Sequence, residues 1–252
     1  MSGVSRASLA RRAQYLTALG IDLWTARDTP RVSPSAAEGA TEGAAGSWET
    51  LRAQVTECRR CGLCQSRTQT VFGVGSARAE LLVVGEAPGA EEDRQGEPFV
   101  GRAGQLLNSM LLALGRARQT VYIANILKCR PPGNRDPSPA EVASCLPYLQ
   151  RQIELLSPRL ILVVGRIAAQ SLLATDTSIG RLRGHLHRYG AGGVPLVVTY
   201  HPAYLLRSPG EKRRAWADLK AARAELERIA ARGQGGRVGP DVASNALGEL
   251  RS

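Results

Sequence analysis

The sequence predicts a three-layer α/β/α fold with a central, four-stranded, mostly parallel sheet. Three observations carry that expectation. Four short runs, ELLVVG (80–85), VYIANIL (121–127), RLILVVG (159–165) and VPLVVTY (194–200), are rich in Val, Ile and Leu, the composition of strands buried on both faces. Amphipathic segments of helical length alternate with them. Hydrophobic residues make up 43% of the 252, enough for one sizeable core with a small appendage.

Taken in order, residues 6–24 have helical spacing, with Leu9, Leu16, Leu19 and Trp24 as the apolar positions. This gives an N-terminal helical segment over 1–25. Residues 26–47 are rich in Ala, Gly, Ser and Pro with almost no large apolar side chain, so they read as a linker. The main domain is expected over 48–231. It opens with a helix from Trp48 that presents Leu51 and Val55 on one face. After the first strand, GRAGQLLNSMLLALG (101–115) is a helix with a glycine stop. The segment 138–156 opens with the Ser-x-x-Glu capping box and Pro139 in the first turn, and Pro147 should kink it. A helix through Leu173 follows the third strand, and a long charged helix runs from about 211 to 231. The pair His185 and His187 reads as an exposed strand, and residues 232–252 as a disordered tail.

Formal net charge is +11, from 33 basic and 22 acidic residues. Such an excess favours a polyanionic partner, nucleic acid first among them, against the plainer reading of a solvated basic surface. No apolar run approaches the roughly 20 residues of a membrane span. The first residues lack the continuous apolar segment of a secretory signal. The chain is therefore expected to be cytoplasmic, without membrane contact, and monomeric. In a reducing compartment, clustered cysteines point to metal or redox chemistry rather than disulfides. CRRCGLC places Cys58, Cys61 and Cys64 within seven residues, and Cys129 and Cys145 follow far downstream.

In open parallel sheets, sites form beyond the carboxyl ends of the strands. Here strand one runs into Gly85-Glu86-Ala87-Pro88-Gly89. Strand two contains Asn125 and leads to Lys128-Cys129-Arg130-Pro131-Pro132. Strand four ends at His201-Pro202-Ala203-Tyr204-Leu205-Leu206-Arg207. A carboxylate, an amide and an imidazole thus converge on one rim. Singly each reads as a turn or cap residue. Together they make a candidate site.

GEAPG, GEPFVGRAGQLL, NILKCRPPGNRDP and HPAYLLR, in that order, resemble the family 4 uracil-DNA glycosylases, the iron–sulfur branch of their superfamily. The resemblance covers about residues 48–228. It implies an α/β/α fold, excision of uracil from single- or double-stranded DNA to start base excision repair, and a [4Fe–4S] cluster. The ligands it implies are Cys58, Cys61, Cys129 and Cys145, with Cys64 spare. A set of Cys58, Cys61, Cys64 and one distant cysteine is the alternative, and sequence does not separate iron–sulfur from four-cysteine zinc. By the same resemblance, Phe99 stacks on the base, Asn125 reads its edge, His201 stabilises the uracil anion, and Glu86 and Ala87 line the pocket. The aspartate that activates water in the best-known branch is replaced by Ala87, which leaves Glu86 as the candidate carboxylate. Lys128, Arg130, Arg135, Leu206 and Arg207 are the expected DNA contacts. A rival reading keeps the fold and the DNA binding without catalysis, as in domains of phage-type DNA polymerases.

Overall fold

The computed structural model describes residues 42–235, with side chains over 48–232. The expected N-terminal helix, most of the linker and nearly all of the tail lie outside the described residues. Within them, α1 (Glu42–Thr56) starts six residues before Trp48, inside the stretch read as linker. The sheet strands are β1 (Val74–Gly75), β2 (Leu81–Gly85), β3 (Tyr122–Asn125), β4 (Leu160–Val164), β5 (Leu186–Tyr189) and β6 (Val194–Thr199). The remaining helices are α2 (Ala90–Gln95), α3 (Arg102–Ala113), α4 (Pro139–Leu156), α5 (Arg166–Leu173), α6 (Ile179–Leu182), α7 (Pro202–Arg207) and α8 (Lys212–Gly235).

The sheet order is β1-β3-β2-β4-β6-β5. The four predicted strands form its parallel centre, β3-β2-β4-β6. To the four expected central strands the structure adds β1 and β5, which pair antiparallel at the two edges; β5 contains His187 of the pair read as an exposed strand. β1 is only two residues long and β5 alternates exposed and half-buried, so neither has the apolar run that marks a central strand. Every residue of β2 and β4 is buried.

Period-two alternation divides the sheet into two packed faces. Leu82, Val84, Ile161, Val163, Leu196 and Val198 meet Leu149, Ile153 and Leu156 of α4 and Ala168, Ala169 and Leu172 of α5. Leu81, Val83, Leu160, Leu162, Val164 and Val197 meet Leu107, Met110 and Leu111 of α3 and Leu219, Ala222 and Leu226 of α8. Each fully buried Leu, Ile or Val contributes about 1.5–3 kcal/mol, so the two faces supply the main driving force. The predicted capping box closes α4: Glu141 N–H donates to Ser138 Oγ at 3.3 Å and Ser138 N–H to Glu141 Oε2 at 2.8 Å. α4 runs unbroken through Pro147.

This topology fixes where a site can lie. The chain leaves β2 toward β3 on one side, then leaves β4 toward β6 on the other. The strand ends between them are the switch point of an open α/β sheet, where connections diverge and leave a crevice.

Candidate active site

Asn125, at the end of β3, is directly paired with Gly85 at the end of β2. Beyond them opens a cleft of about 450 Å³, bordered by Glu86, Ala87, Phe99, Asn125, His201 and Arg207 among others. Among the described residues, Asn125 Oδ1 is the one buried side-chain oxygen or nitrogen without a hydrogen-bond partner. A buried, unpaired amide oxygen costs about 1–3 kcal/mol, and such an atom is kept where something else pairs with it. Gly85 leaves room for this oxygen. A Cβ there would lie 2.4 Å from Asn125 Oδ1 and 2.6 Å from Phe99 Cζ.

Phe99 has φ of 54°, in the left-handed region that a bulky side chain rarely adopts. Strain of this kind costs about 1–3 kcal/mol and persists only when its surroundings fix it. Two side chains do so. Glu92 Oε1 accepts the N–H groups of Val100 (3.0 Å) and Gly101 (3.4 Å), while its Oε2 accepts Gly89 N–H at 3.1 Å. Arg118 donates to the carbonyls of Pro98 (2.6 Å) and Phe99 (3.3 Å). Gly104 lets α3 close on the same loop, since a Cβ there would meet Phe99 O at 1.8 Å. The result holds the Phe99 ring 5.6 Å from the His201 ring, tilted by 30°. Phe99 is thus both a core residue and a wall of the cleft.

His201 caps α7, its Nδ1 accepting Ala203 N–H at 3.1 Å. That bond assigns the ring proton to Nε2. Burial, then the Arg207 charge, holds the imidazole down to about 4, against a smaller opposing pull from Glu92. It is therefore neutral at physiological pH and keeps one N–H donor. Gly165, with φ of 106°, lies against it: a Cβ there would come within 3.3 Å of His201 Cβ. Glu86 is pushed up to about 7, first by burial and then by Asp136, with Arg166 opposing. Asp136 and Arg166 are themselves ion-paired at 2.7 Å. Ala87 also lines the cleft.

Of the expected DNA contacts, Arg207 is exposed on the cleft edge, Leu206 is half-buried on α7, and Leu205 beside it is core. Arg130 donates to Asn134 Oδ1 at 2.7 Å and Arg135 pairs with Glu141 at 2.6 Å. Lys128 is corrected. It is 1% exposed, and its ammonium donates to Asn125 O at 2.9 Å and Gln152 Oε1 at 2.6 Å, so it cannot reach a phosphate. Three residues past the end of β3, it is turned inward by the buried acceptors of Asn125 and Gln152, where the sequence reading took a lysine in a loop to be solvated. Glu92, Arg118, Asp136 and Gly85 were not assigned to the site from sequence. Glu92 stands three residues after Gly89, a capping spacing that could have flagged it, and Asp136 lies within the quoted GNRDP. Arg118 has no local signal, because its partners are 19 and 20 residues away.

A second constellation lies behind this rim. Cys58, Cys61, Cys64, Cys129 and Cys145 all border one pocket. Among the described residues, no three Cys, His, Asp or Glu side chains converge closely enough to grip a single ion. Four cysteine thiolates are the donor set that an iron–sulfur cluster takes. N–H donors already face two of them: Arg67 to Cys129 Sγ at 3.0 Å and Lys128 N–H to Cys145 Sγ at 3.2 Å. Burial pushes the Cys145 thiol up to about 11, so it favours the thiolate only with a cation bound. The donor set fits an all-cysteine iron–sulfur cluster.

The switch-point cleft, with an aromatic wall, an unpaired amide and a neutral imidazole, defines an open-sheet α/β protein with its candidate site at the strand ends. Comparison with known families agrees. The model of the uracil DNA glycosylase superfamily matches residues 72–220. The type-4 uracil-DNA glycosylase of Archaeoglobus fulgidus is 43% identical over 180 residues, 69% of this chain and 90% of that protein. That of Thermotoga maritima is 41% identical over 167 residues, 66% and 86% respectively. A DNA polymerase of Bacillus phage SP01 is 32% identical over 138 residues, 54% of this chain but 15% of the polymerase. The chain belongs to the type-4 uracil-DNA glycosylases of this superfamily.

Proposed function

We infer that the chain is a glycosylase that hydrolyses the N-glycosidic bond of uracil in DNA. The observation that carries this is the unpaired Asn125 Oδ1 at the bottom of a cleft walled by Phe99 and His201. A base inside a duplex is out of reach, so uracil is flipped into the cleft. It slides against the Phe99 ring. Asn125 Oδ1 accepts uracil N3–H and the amide NH2 donates to O4, a pairing cytosine cannot reproduce. The cost of leaving Asn125 unpaired is then recovered in the complex with the correct base.

Cleavage builds positive charge on the sugar and negative charge on the base. Water adds its oxygen to C1′ as the C1′–N1 bond breaks, and the bonding pair leaves on uracil. His201 Nε2–H donates to O2 as that charge grows. Because the imidazole is already neutral, no proton has to move for it to act. Glu86 holds the water, takes its proton and passes it to solvent. With its carboxyl raised to about 7, it is a better base than an ordinary glutamate near neutrality. Arg207 and the other rim cations hold the flanking phosphates.

The cavity thiols Cys58, Cys61, Cys129 and Cys145 would ligate a [4Fe–4S] cluster, with Cys64 as a neighbour. These four residues, which lie after α1, in the loop after β3 and on α4, would then be tied together, and the loop that follows Asn125 would be fixed by Cys129.

The test is release of free uracil from a uracil-containing oligonucleotide by the full chain, compared with Asn125→Asp. Wild type releases uracil. The variant fails on uracil, because a carboxylate accepts but cannot donate to O4. DNA binding with no release by the wild type would favour the non-catalytic module.

A further inference from the structure

α8 carries a face that the cleft does not use. Its inward side, Ala215, Asp218, Leu219, Ala222 and Leu226, is buried against the sheet. Lys212, Arg213, Trp216, Lys220 and Arg223 are all exposed. At 3.6 residues per turn these five fall within about 100° of arc, with Trp216 in the middle. Trp216 is 45% exposed, one of four large apolar side chains so exposed among the described residues. Among the described residues, the side chains of Lys212, Arg213 and Lys220 have no hydrogen-bond or ion-pair partner. Arg223 is paired with Glu227 at 2.8 Å, which ends the stripe.

α8 begins five residues after Arg207, which borders the cleft. From Lys212 to Arg223 the stripe is about 16 Å long, room for several nucleotides of one strand. An exposed indole ringed by unpaired cations does not match the centre of a protein interface, which is depleted of charge. It does match a platform for single-stranded nucleic acid, where aromatic rings stack on bases and cations follow the backbone. A duplex would use the cations but offers no open base face to the indole.

We propose that this face of α8 binds single-stranded DNA beside the target nucleotide, Trp216 stacking on a base and Lys212, Arg213 and Lys220 holding phosphates. The glycosylase reading supplies only the polymer's identity. The test therefore uses uracil-free oligothymidine with the full chain, so that it can fail separately from excision. Oligothymidine should quench the wild-type tryptophan fluorescence, and W216F should abolish most of that quenching. W216A should weaken single-strand binding about tenfold, with W216F close to wild type. Replacing Lys212 and Lys220 together by Gln should reduce the slope of log affinity against log salt by about 1.4, near 0.7 for each lost phosphate contact. Wild-type affinity and quenching in all the variants would overturn the proposal. So would an equal loss of duplex binding in W216A, or an unchanged DNA affinity with a changed oligomeric state, which would make the indole a protein contact. Trp216-dependent binding by a chain that released no uracil would uphold the α8 surface and remove the glycosylase reading alone.

Discussion

Gly85 and Asn125 face each other at adjacent strand ends so closely that a single methyl group on Gly85 would lie 2.4 Å from the Asn125 amide oxygen. The Asn125 amide oxygen therefore has room at this position only because its neighbour has no side chain. Gly85→Ala should leave the sheet hydrogen bonds intact while displacing Asn125 and Phe99. A shift of about 1 Å in a positioned group costs about a hundredfold in rate. Single-turnover uracil release should fall by at least that order, with thermal melting still cooperative. Normal release would mean that the base is read elsewhere.

His201 and Asn125 should fail differently. His201→Ala should lower the single-turnover rate by about 10²–10³, the range for losing one preorganised donor to a developing anion. Affinity for DNA carrying a non-cleavable uracil analogue should change far less. Loss of binding with cleavage of bound substrate intact would make His201 a docking residue.

The pH profile isolates Glu86. Its raised value, about 7, is due first to burial, while His201 is held near 4 and stays neutral over the working range. If the carboxylate holds the water, the cleavage rate rises with pH and levels off above about 7, and Glu86→Gln removes that inflection. Stability moves the other way. The unfolded chain gives up this proton near the ordinary glutamate value of 4.5, below the folded one. Stability from this group is thus full below about 4.5 and lost as pH rises through 7. Glu86→Gln should raise the melting temperature more at pH 8 than at pH 5.

The cysteines can be separated by iron content. Cys58→Ala, Cys61→Ala, Cys129→Ala and Cys145→Ala should each lose most of roughly four irons per chain and the visible absorption of the cluster. Cys64→Ala should retain both, although its side chain borders the same cavity. A colourless Cys64→Ala would assign the ligand set instead to the Cys58, Cys61 and Cys64 run.

Lys128 provides a structural test. Lys128→Met should leave Gln152 Oε1 and Asn125 O without a buried donor and cost about 1–3 kcal/mol in denaturant unfolding. The salt dependence of DNA binding should not change, because the ammonium is not on the DNA surface. Arg207→Ala should do the reverse, reducing the salt slope by about 0.7–0.9 with unchanged stability. A flatter salt slope in Lys128→Met would return that lysine to the interface.

Much of this molecule was determined by short-range pattern. The Val, Ile and Leu runs specified four parallel strands because strands covered by helices on both faces have no solvent-facing alternation to satisfy. Ser138 and Glu141 specified the start of α4, since a capping box closes within four residues. The motifs at strand ends placed Glu86, Asn125 and His201 on one rim. What tertiary structure decided lies in contacts made across the chain. The edge strand β1 exists because the sheet centre offered a partner to a segment of two residues, too short to signal itself, whereas β5 was legible around His187 as an exposed strand but not as a member of this sheet. Lys128 was turned inward by the demand of buried acceptors on Gln152, 24 residues away. Glu92 and Arg118 became the clamps of a strained Phe99 because burial made each of those backbone groups need a partner, and only the folded chain brings the partners within reach.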